Sequence, residues 1–385
     1  MSKPIRILQV LGRLDTGGAE TMIMNLYENI DREQIQFDFV IHTEDECVYS
    51  SKVRNLGGVI YSVPSFTMKN IHKYKNAWRQ LFIEHPEYKI IHGHVRSTAS
   101  IYLKIANQYG LITIAHSHNT SSGKGLAAFV KNRMQYSIRE IADYLFACSK
   151  ESGVWLYGEN ACNGNNFYVL KNAIDTKKFA FSKEVRERVR KNLLLEDKLV
   201  LGHVGRFEQQ KNHDFLMKVF HDINNLNKDA RLILIGGGPL EGAIREKVCR
   251  LHLEEVVIFL GIRSDVNELL QAMDLFLLPS FFEGLPVTLI EAQAAGLPIL
   301  VSNTITREVQ VTELIEYLEI DNGVAQWSKA VSNIKKVKSR EDSSIELGIM
   351  ESGYSVSTTS KWLSQFYSKL YQSNSKQRYK EYENN

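Results

Sequence analysis

The chain has 385 residues, 44% apolar and 24% charged, with a net charge of +3. That balance is globular and leaves room for two domains with full cores. No apolar run approaches the ~18–20 residues that span a bilayer, and no nucleic-acid partner is expected. The cysteines Cys47, Cys148, Cys162 and Cys249 show no CxxC spacing, which argues for a reduced compartment without structural disulfides. Met1 to Arg6 run straight into a strand and offer no signal peptide, so a cytoplasmic location is expected.

Charge is unevenly spread. From Lys52 to Arg139 there are thirteen Lys or Arg against Glu84 and Glu87, a net +11, which leaves −8 for everything else. The segregation suggests a basic face for an anionic partner or surface, unless the rest of the same domain neutralises it. Residues 68–79 and 126–133 mix lysine or arginine with apolar and aromatic residues, a mixture that suits an anionic leaflet. The alternative is that their apolar faces pack on the sheet.

Taken in order, strand signals fall at 5–11, 37–41, 59–63, 90–92, 111–115, 144–148 and 167–170, with helical stretches around 19–27, 71–84, 97–109, 125–140 and 149–157. Strand alternating with helix implies an α/β fold with a parallel sheet covered on both faces. The pattern restarts after a charged helical stretch at 183–197, with strands at 199–204, 232–235, 256–260, 275–278 and 299–302. Two doubly wound, Rossmann-like domains are therefore expected, residues 1–175 and 185–355, facing across a cleft, with a hinge near 172–185. Residues 356–372 read as an amphipathic helix packing back towards the N-terminal domain, and 373–385 as a disordered tail. In open α/β sheets ligands sit at the carboxyl ends of strands, so the loops there carry the chemistry.

The first such loop, Gly12 to Glu20, contains Gly17 and Gly18 but does not match GxGxxG, which gives a nicotinamide site little support. His116 follows the strand expected to end at Ala115 and would emerge at the cleft, to hydrogen-bond a sugar hydroxyl or orient a reacting group. It is equally compatible with a structural histidine. With His118 it forms an HxH pair, but no acidic or cysteine ligand stands nearby, so no metal is expected.

Gly205-Arg206-Phe207-Glu208-Gln209-Gln210-Lys211-Asn212 opens the second domain where its first strand ends. Two cations at one strand end are costly unless they share an anion such as a diphosphate, and Asn212 suits a helix N-cap. A solvated loop is the plain alternative. Gly236, Gly237 and Gly238 would allow close backbone approach near a nucleotide, and the turn with Ile262 and Arg263 would present backbone to a base; both also read as simple tight turns.

The most informative stretch is Ser280 to Glu291. Gly284 permits close approach, Pro286 suits a first helical turn, and the amides around Gly284, Leu285 and Val287 would favour an anion. Glu291 lies on the face of Thr288 and Val287, one turn along. With Glu283 in the loop, two carboxylates flank an anion-binding helix end, which fits a nucleotide sugar. The plain alternative has Glu283 as a cap and Glu291 solvated.

Jointly these residues resemble the GT-B-fold retaining glycosyltransferases of family 4, especially bacterial members making capsule, exopolysaccharide or lipopolysaccharide. The resemblance covers nearly the whole chain: the GGAE loop at Gly17 to Glu20, His116, GRFxxxKN at Gly205 to Asn212, and the E-x7-E pair Glu283 and Glu291. It implies that Arg206 and Lys211 neutralise the donor diphosphate, that Glu283 and its loop contact the donor sugar, and that Glu291 meets the ribose. Gly17 and Gly18 would approach the diphosphate, with His116 near the reacting sugar. It further implies a nucleotide-sugar donor, expected to be a UDP-sugar, transfer with retention and no metal or other cofactor. The acceptor would be a polyprenyl-diphosphate-linked saccharide, reached from a peripheral position on an anionic membrane. One departure is Asn303 to Val309, where many members carry a glycine-rich segment. Rival readings are a nucleotide-sugar epimerase of the same architecture and a non-catalytic homologue that binds a nucleotide or partner.

Overall fold

The structure, a computed structural model, describes residues 3–118, 135–321, 323–333 and 340–383. The chain forms two compact units, Met1–Ala173 with Gly353–Asn385, and Ile174–Ser352.

The first unit is built on seven parallel strands: β1 (Ile5–Val10), β2 (Ile35–Ile41), β3 (Ile60–Ser62), β4 (Ile90–Gly93), β5 (Ile112–Ser117), β6 (Tyr144–Ala147) and β7 (Phe167–Val169). Their order is β3-β2-β1-β4-β5-β6-β7. Helices cover both faces, so the central strands are continuous apolar runs, and all seven residues of β2 are buried. Its one acid, Asp38, accepts the Arg6 guanidinium, the Val59 amide at 2.7 Å and the Tyr88 hydroxyl at 2.7 Å. A fully buried carboxylate is tolerable only with such a set. The chain reverses its winding between β1 and β4, which makes their carboxyl ends the switch point of this sheet. Strand β5 runs two residues beyond Ala115, so His116 lies inside the strand opposite Phe146.

The helix Ile71–Glu84 buries Tyr74, Trp78, Leu81 and Phe82 in the cluster formed with Leu8, Val10 and Ile91. Of the two readings of 68–79, packing of its apolar face on the sheet is the one seen. The aromatic rings are core, and Met68, Lys69, Lys73 and Arg79 remain exposed. Residues 126–133 lie outside the described residues.

The C-terminal helix, Val356–Glu383, packs beside the helix Gly18–Asn29. It places Val356, Leu363, Tyr367 and Leu370 in one apolar cluster with Ile7, Phe37 and Phe146. The helix continues through the segment expected to be disordered. No Gly or Pro follows Gly353, and the lysines, glutamines and glutamates there are good helix formers, so nothing stops it.

The second unit carries six parallel strands: β8 (Leu199–Val204), β9 (Ala230–Ile235), β10 (Val257–Gly261), β11 (Leu275–Leu278), β12 (Ile299–Ser302) and β13 (Ile315–Leu318). The order is β10-β9-β8-β11-β12-β13, with the switch point between β8 and β11. Strand β13 is missing from the sequence reading because Ile-Glu-Tyr-Leu is short, lies at the sheet edge and buries only its two end residues. Helix Lys183–Asn192 is anchored to this unit through Asp274, which accepts Arg186 at 2.5 Å, Arg190 at 2.6 Å and the Val200 amide at 2.8 Å.

Leu363→Ala should destabilise the first unit by ~3 kcal/mol through the cavity it leaves, read as a lowered urea midpoint with unchanged slope. A loss below about 0.5 kcal/mol, as for a surface residue, would show that the helix does not pack as described.

Candidate functional site

In the second unit the candidate residues converge on the carboxyl ends of β8 and β11. The β8 loop leaves through Gly205, and a Cβ there would stand 3.0 Å from the Lys211 Cε. Gly236 is needed for a related reason: its φ is +139°, and a Cβ would strike the Gly205 carbonyl oxygen. Two backbone bonds lock the loops together, Gly205 N–H to Ile235 O at 2.9 Å and Phe207 N–H to Gly237 O at 3.1 Å. Asn212, in left-handed conformation, caps the helix His213–Leu226 by accepting the Phe215 amide.

Lys211 and Glu283, both expected at a ligand, are each other's partners. Lys211 Nζ lies 2.7 Å from Glu283 Oε1, and Gln210 Nε2 donates to Glu283 Oε2 at 2.9 Å. The Lys211 side chain is 16% exposed and that of Glu283 7%. A backbone bond, Phe281 N–H to Gln210 O at 2.9 Å, runs beside the pair. Arg206, by contrast, is 73% exposed and pairs with Glu208 at 3.0 Å.

Pro286 is the N-cap of the helix Val287–Ala294, one position earlier than a first helical turn. Gly284 has nothing within 4 Å of where a Cβ would be. Around these loops several buried polar atoms have no partner among the described residues: Ser280 Oγ, Thr288 Oγ1, Asn212 Nδ2 and His203 Nε2. Each such group calls for a partner, which a bound water or ion or a ligand can supply. Glu291 is half-buried, and its burial pushes the carboxyl up to about 7, with Lys178 opposing. Beyond β9 and β10, Ile262 is 86% exposed and its side chain lies over Gly237; Arg263 is held by Asp265 at 2.6 Å. The Asn303–Val309 segment is tied back to this site, since Thr304 Oγ1 donates to the Ser280 carbonyl at 3.2 Å.

In the first unit, Gly17 caps the helix Gly18–Asn29 without a side chain, and Gly18 is open. Gly12, Gly18, Glu20, His94, Arg96 and His118 are among the residues around a cavity of about 440 Å³ at the β1 and β4 ends. His116 does not line it. At 2% exposed it is buried, which corrects its expected emergence at a surface. Instead four histidines gather on one sheet face. His92 Nε2 and His116 Nδ1 are 3.2 Å apart, His94 Nδ1 and His118 Nε2 2.8 Å. Burial pushes all four rings well below the ordinary histidine range, His92 and His118 to about 3. Sequence reasoning missed His92 and His94; HxH twice, on strands that prove adjacent, was the signal. One ring nitrogen each from His92, His94 and His116 lie within 4.8 Å of one another, a spacing a metal ion can use.

Residues 16–178 match Glycosyltransferase Family 4 and residues 185–346 match Glycosyl transferases group 1. EpsF of Bacillus subtilis (strain 168), named as a glycosyltransferase, is 33% identical over 85% of this chain and 87% of its own length. The chain belongs to the GT-B glycosyltransferases of family 4. A second member, the UDP-Gal:α-D-GlcNAc-diphosphoundecaprenol α-1,3-galactosyltransferase of Escherichia coli, is 27% identical over 56% of this chain and 58% of its own. The same fold is seen in HepE of Anabaena, solved with UDP: TM-score 0.77, 16% identity, 95% of this chain and 100% of that one.

In this glycosyltransferase the raised Glu291 carboxyl has a consequence for stability. Its folded value lies above the unfolded one, so the stabilisation is complete below about pH 4.5 and is lost as pH rises through about 7. Glu291→Gln should therefore melt like the wild type in acid and higher than it at pH 8, by roughly 3 kcal/mol at most. A variant that melts lower at pH 8 would contradict the burial of this group.

Proposed function

We propose that the protein transfers a sugar, with retention and without a metal ion, from a UDP-sugar to a polyprenyl-diphosphate-linked saccharide. The observation that carries the reading is the Lys211–Glu283 pair, largely shielded from solvent, at a strand end crowded with unmet polar atoms. An incoming diphosphate takes over Lys211, and exposed Arg206 swings from Glu208 to the same anion. Charge that grows on the leaving diphosphate is thereby met by cations already in place. Released from the lysine, Glu283 and the backbone at Gly284, Leu285, Pro286 and Val287 meet the donor sugar. Glu291, one helical turn further on, accepts from the ribose hydroxyls, and Ile262 over Gly237, with Arg263, forms the surface for the base. The costly burial of Glu291 makes sense here as stability given up for binding.

The E. coli relative's name supplies the chemistry closest to this proposal, a UDP-sugar donor and a diphosphoundecaprenol-linked acceptor. Membrane contact is proposed on charge alone, through the exposed Lys69, Lys73 and Arg79, each worth about 1 kcal/mol at an anionic surface. No helix among the described residues is long and apolar enough to cross a membrane.

The test is turnover of a UDP-sugar panel with a polyprenyl-diphosphate-linked acceptor after EDTA treatment, with the new anomeric centre assigned by NMR. One UDP-sugar should yield a product of unchanged anomeric configuration. Inversion, or activity that returns only with added metal, would contradict the proposal; conversion of the donor without acceptor would favour the epimerase. Lys211→Ala should lower turnover by roughly 10²–10³, and wild-type turnover would remove Lys211 from the site. Flotation with anionic vesicles at low salt should carry the protein upward, and failure to float would remove the membrane surface.

A further inference from the structure

The four histidines of the first unit are joined by two residues that no motif singles out, Gln9 on β1 and Tyr367 on the C-terminal helix. Gln9 Nε2 donates to Tyr367 Oη at 3.3 Å, and its Oε1 lies 2.9 Å from His94 Nε2. Tyr367 Oη lies 2.7 Å from His92 Nδ1. Two chains therefore leave one amide: Gln9, Tyr367, His92, His116 on one side, and Gln9, His94, His118 on the other. Their last atoms, His116 Nε2 and His118 Nδ1, have no partner among the described residues.

Each link passes on a direction, because a neutral imidazole has one N–H and one bare nitrogen. The amide oxygen of Gln9 can only accept, so His94 donates from Nε2 and its bare Nδ1 accepts from His118 Nε2–H. His118 then ends in a bare Nδ1. The amide nitrogen can only donate, so the Tyr367 hydroxyl accepts from it and gives its own proton to His92 Nδ1. His92 donates from Nε2 to His116 Nδ1, and His116 ends in an Nε2–H. The geometry points to Gln9 and Tyr367 as positioning residues that hold all four histidines in the Nε2–H tautomer, leaving His116 to offer a proton and His118 a bare nitrogen.

The two end rings stack 4.1 Å apart, with both end atoms sealed from solvent. His118 faces the cavity beside Gly18 and Glu20. A metal ion held by His92, His94 and His116 is the competing arrangement, and it would break the His92–His116 bond.

Two-bond 1H–15N spectra of the full chain with 15N-histidine, assigned by substituting each histidine, read the tautomers directly and need no substrate. All four rings should show Nε2–H near neutral pH. In Tyr367→Phe the His92–His116 pair should lose its single tautomer while His94 and His118 keep theirs. Gln9→Glu offers acceptors on both sides, so the Tyr367 proton turns to it and only His92 and His116 should move to Nδ1–H. One pair differing from the other in the wild type, all four as Nδ1–H, or stoichiometric zinc released on unfolding would overturn the assignment.

Discussion

The salt bridge between Lys211 and Glu283 is the constraint on which the second unit's site depends. It joins the loop after β8 to the loop after β11, strands that are neighbours only because the sheet reverses its winding between them. An ion pair so shielded recovers little net stability, because both charges gave up water to form it. Either one left alone, however, would be a poorly hydrated charge. That asymmetry suits a site that must hold a lysine ready for an anion: the glutamate keeps the cation oriented while the site is empty, and when a diphosphate replaces it Gln210 can go on donating to the freed carboxylate.

The first unit solves a different problem with neutral groups. Its histidines are too deeply buried to carry charge, so their usefulness lies in which nitrogen bears the proton. That choice is made by Gln9 and Tyr367, and Tyr367 reaches the sheet only because the last helix packs across Phe37 and Phe146. The C-terminal segment is thus both core and part of the site's polar framework. A defect in its packing would be felt as a change in hydrogen-bond direction several residues away.

Much of this was legible in the sequence. Apolar runs of three to seven residues between helical stretches gave twelve of the thirteen strands among the described residues, and strand-end loops rich in glycine located Gly205, Gly237 and Gly284. Pairing was not legible. Lys211 and Glu283 lie 72 positions apart, and their contact follows from strand order, which periodicity does not encode. The same is true of His92 and His116, and of Gln9 and Tyr367, which are 358 residues apart. His116 was misplaced for a local reason: polar residues at a strand's end read as loop, although the neighbouring strand continues beside them. For Tyr74 and Trp78 composition alone leaves two readings, membrane surface or packing on the sheet, because basic residues surround them; helical periodicity turns those rings to the sheet and Lys73 and Arg79 to solvent.

The most direct test of the Lys211–Glu283 account is calorimetric titration of UDP and of the UDP-sugar into wild type and Glu283→Gln, in EDTA. If the glutamate holds the lysine until diphosphate replaces it and then binds the sugar, the variant will bind UDP at least as tightly as the wild type. It will also lose the extra affinity that the sugar confers. If UDP and UDP-sugar weaken equally in the variant, Glu283 serves only to shape the loop, and the exchange of partners at Lys211 does not occur.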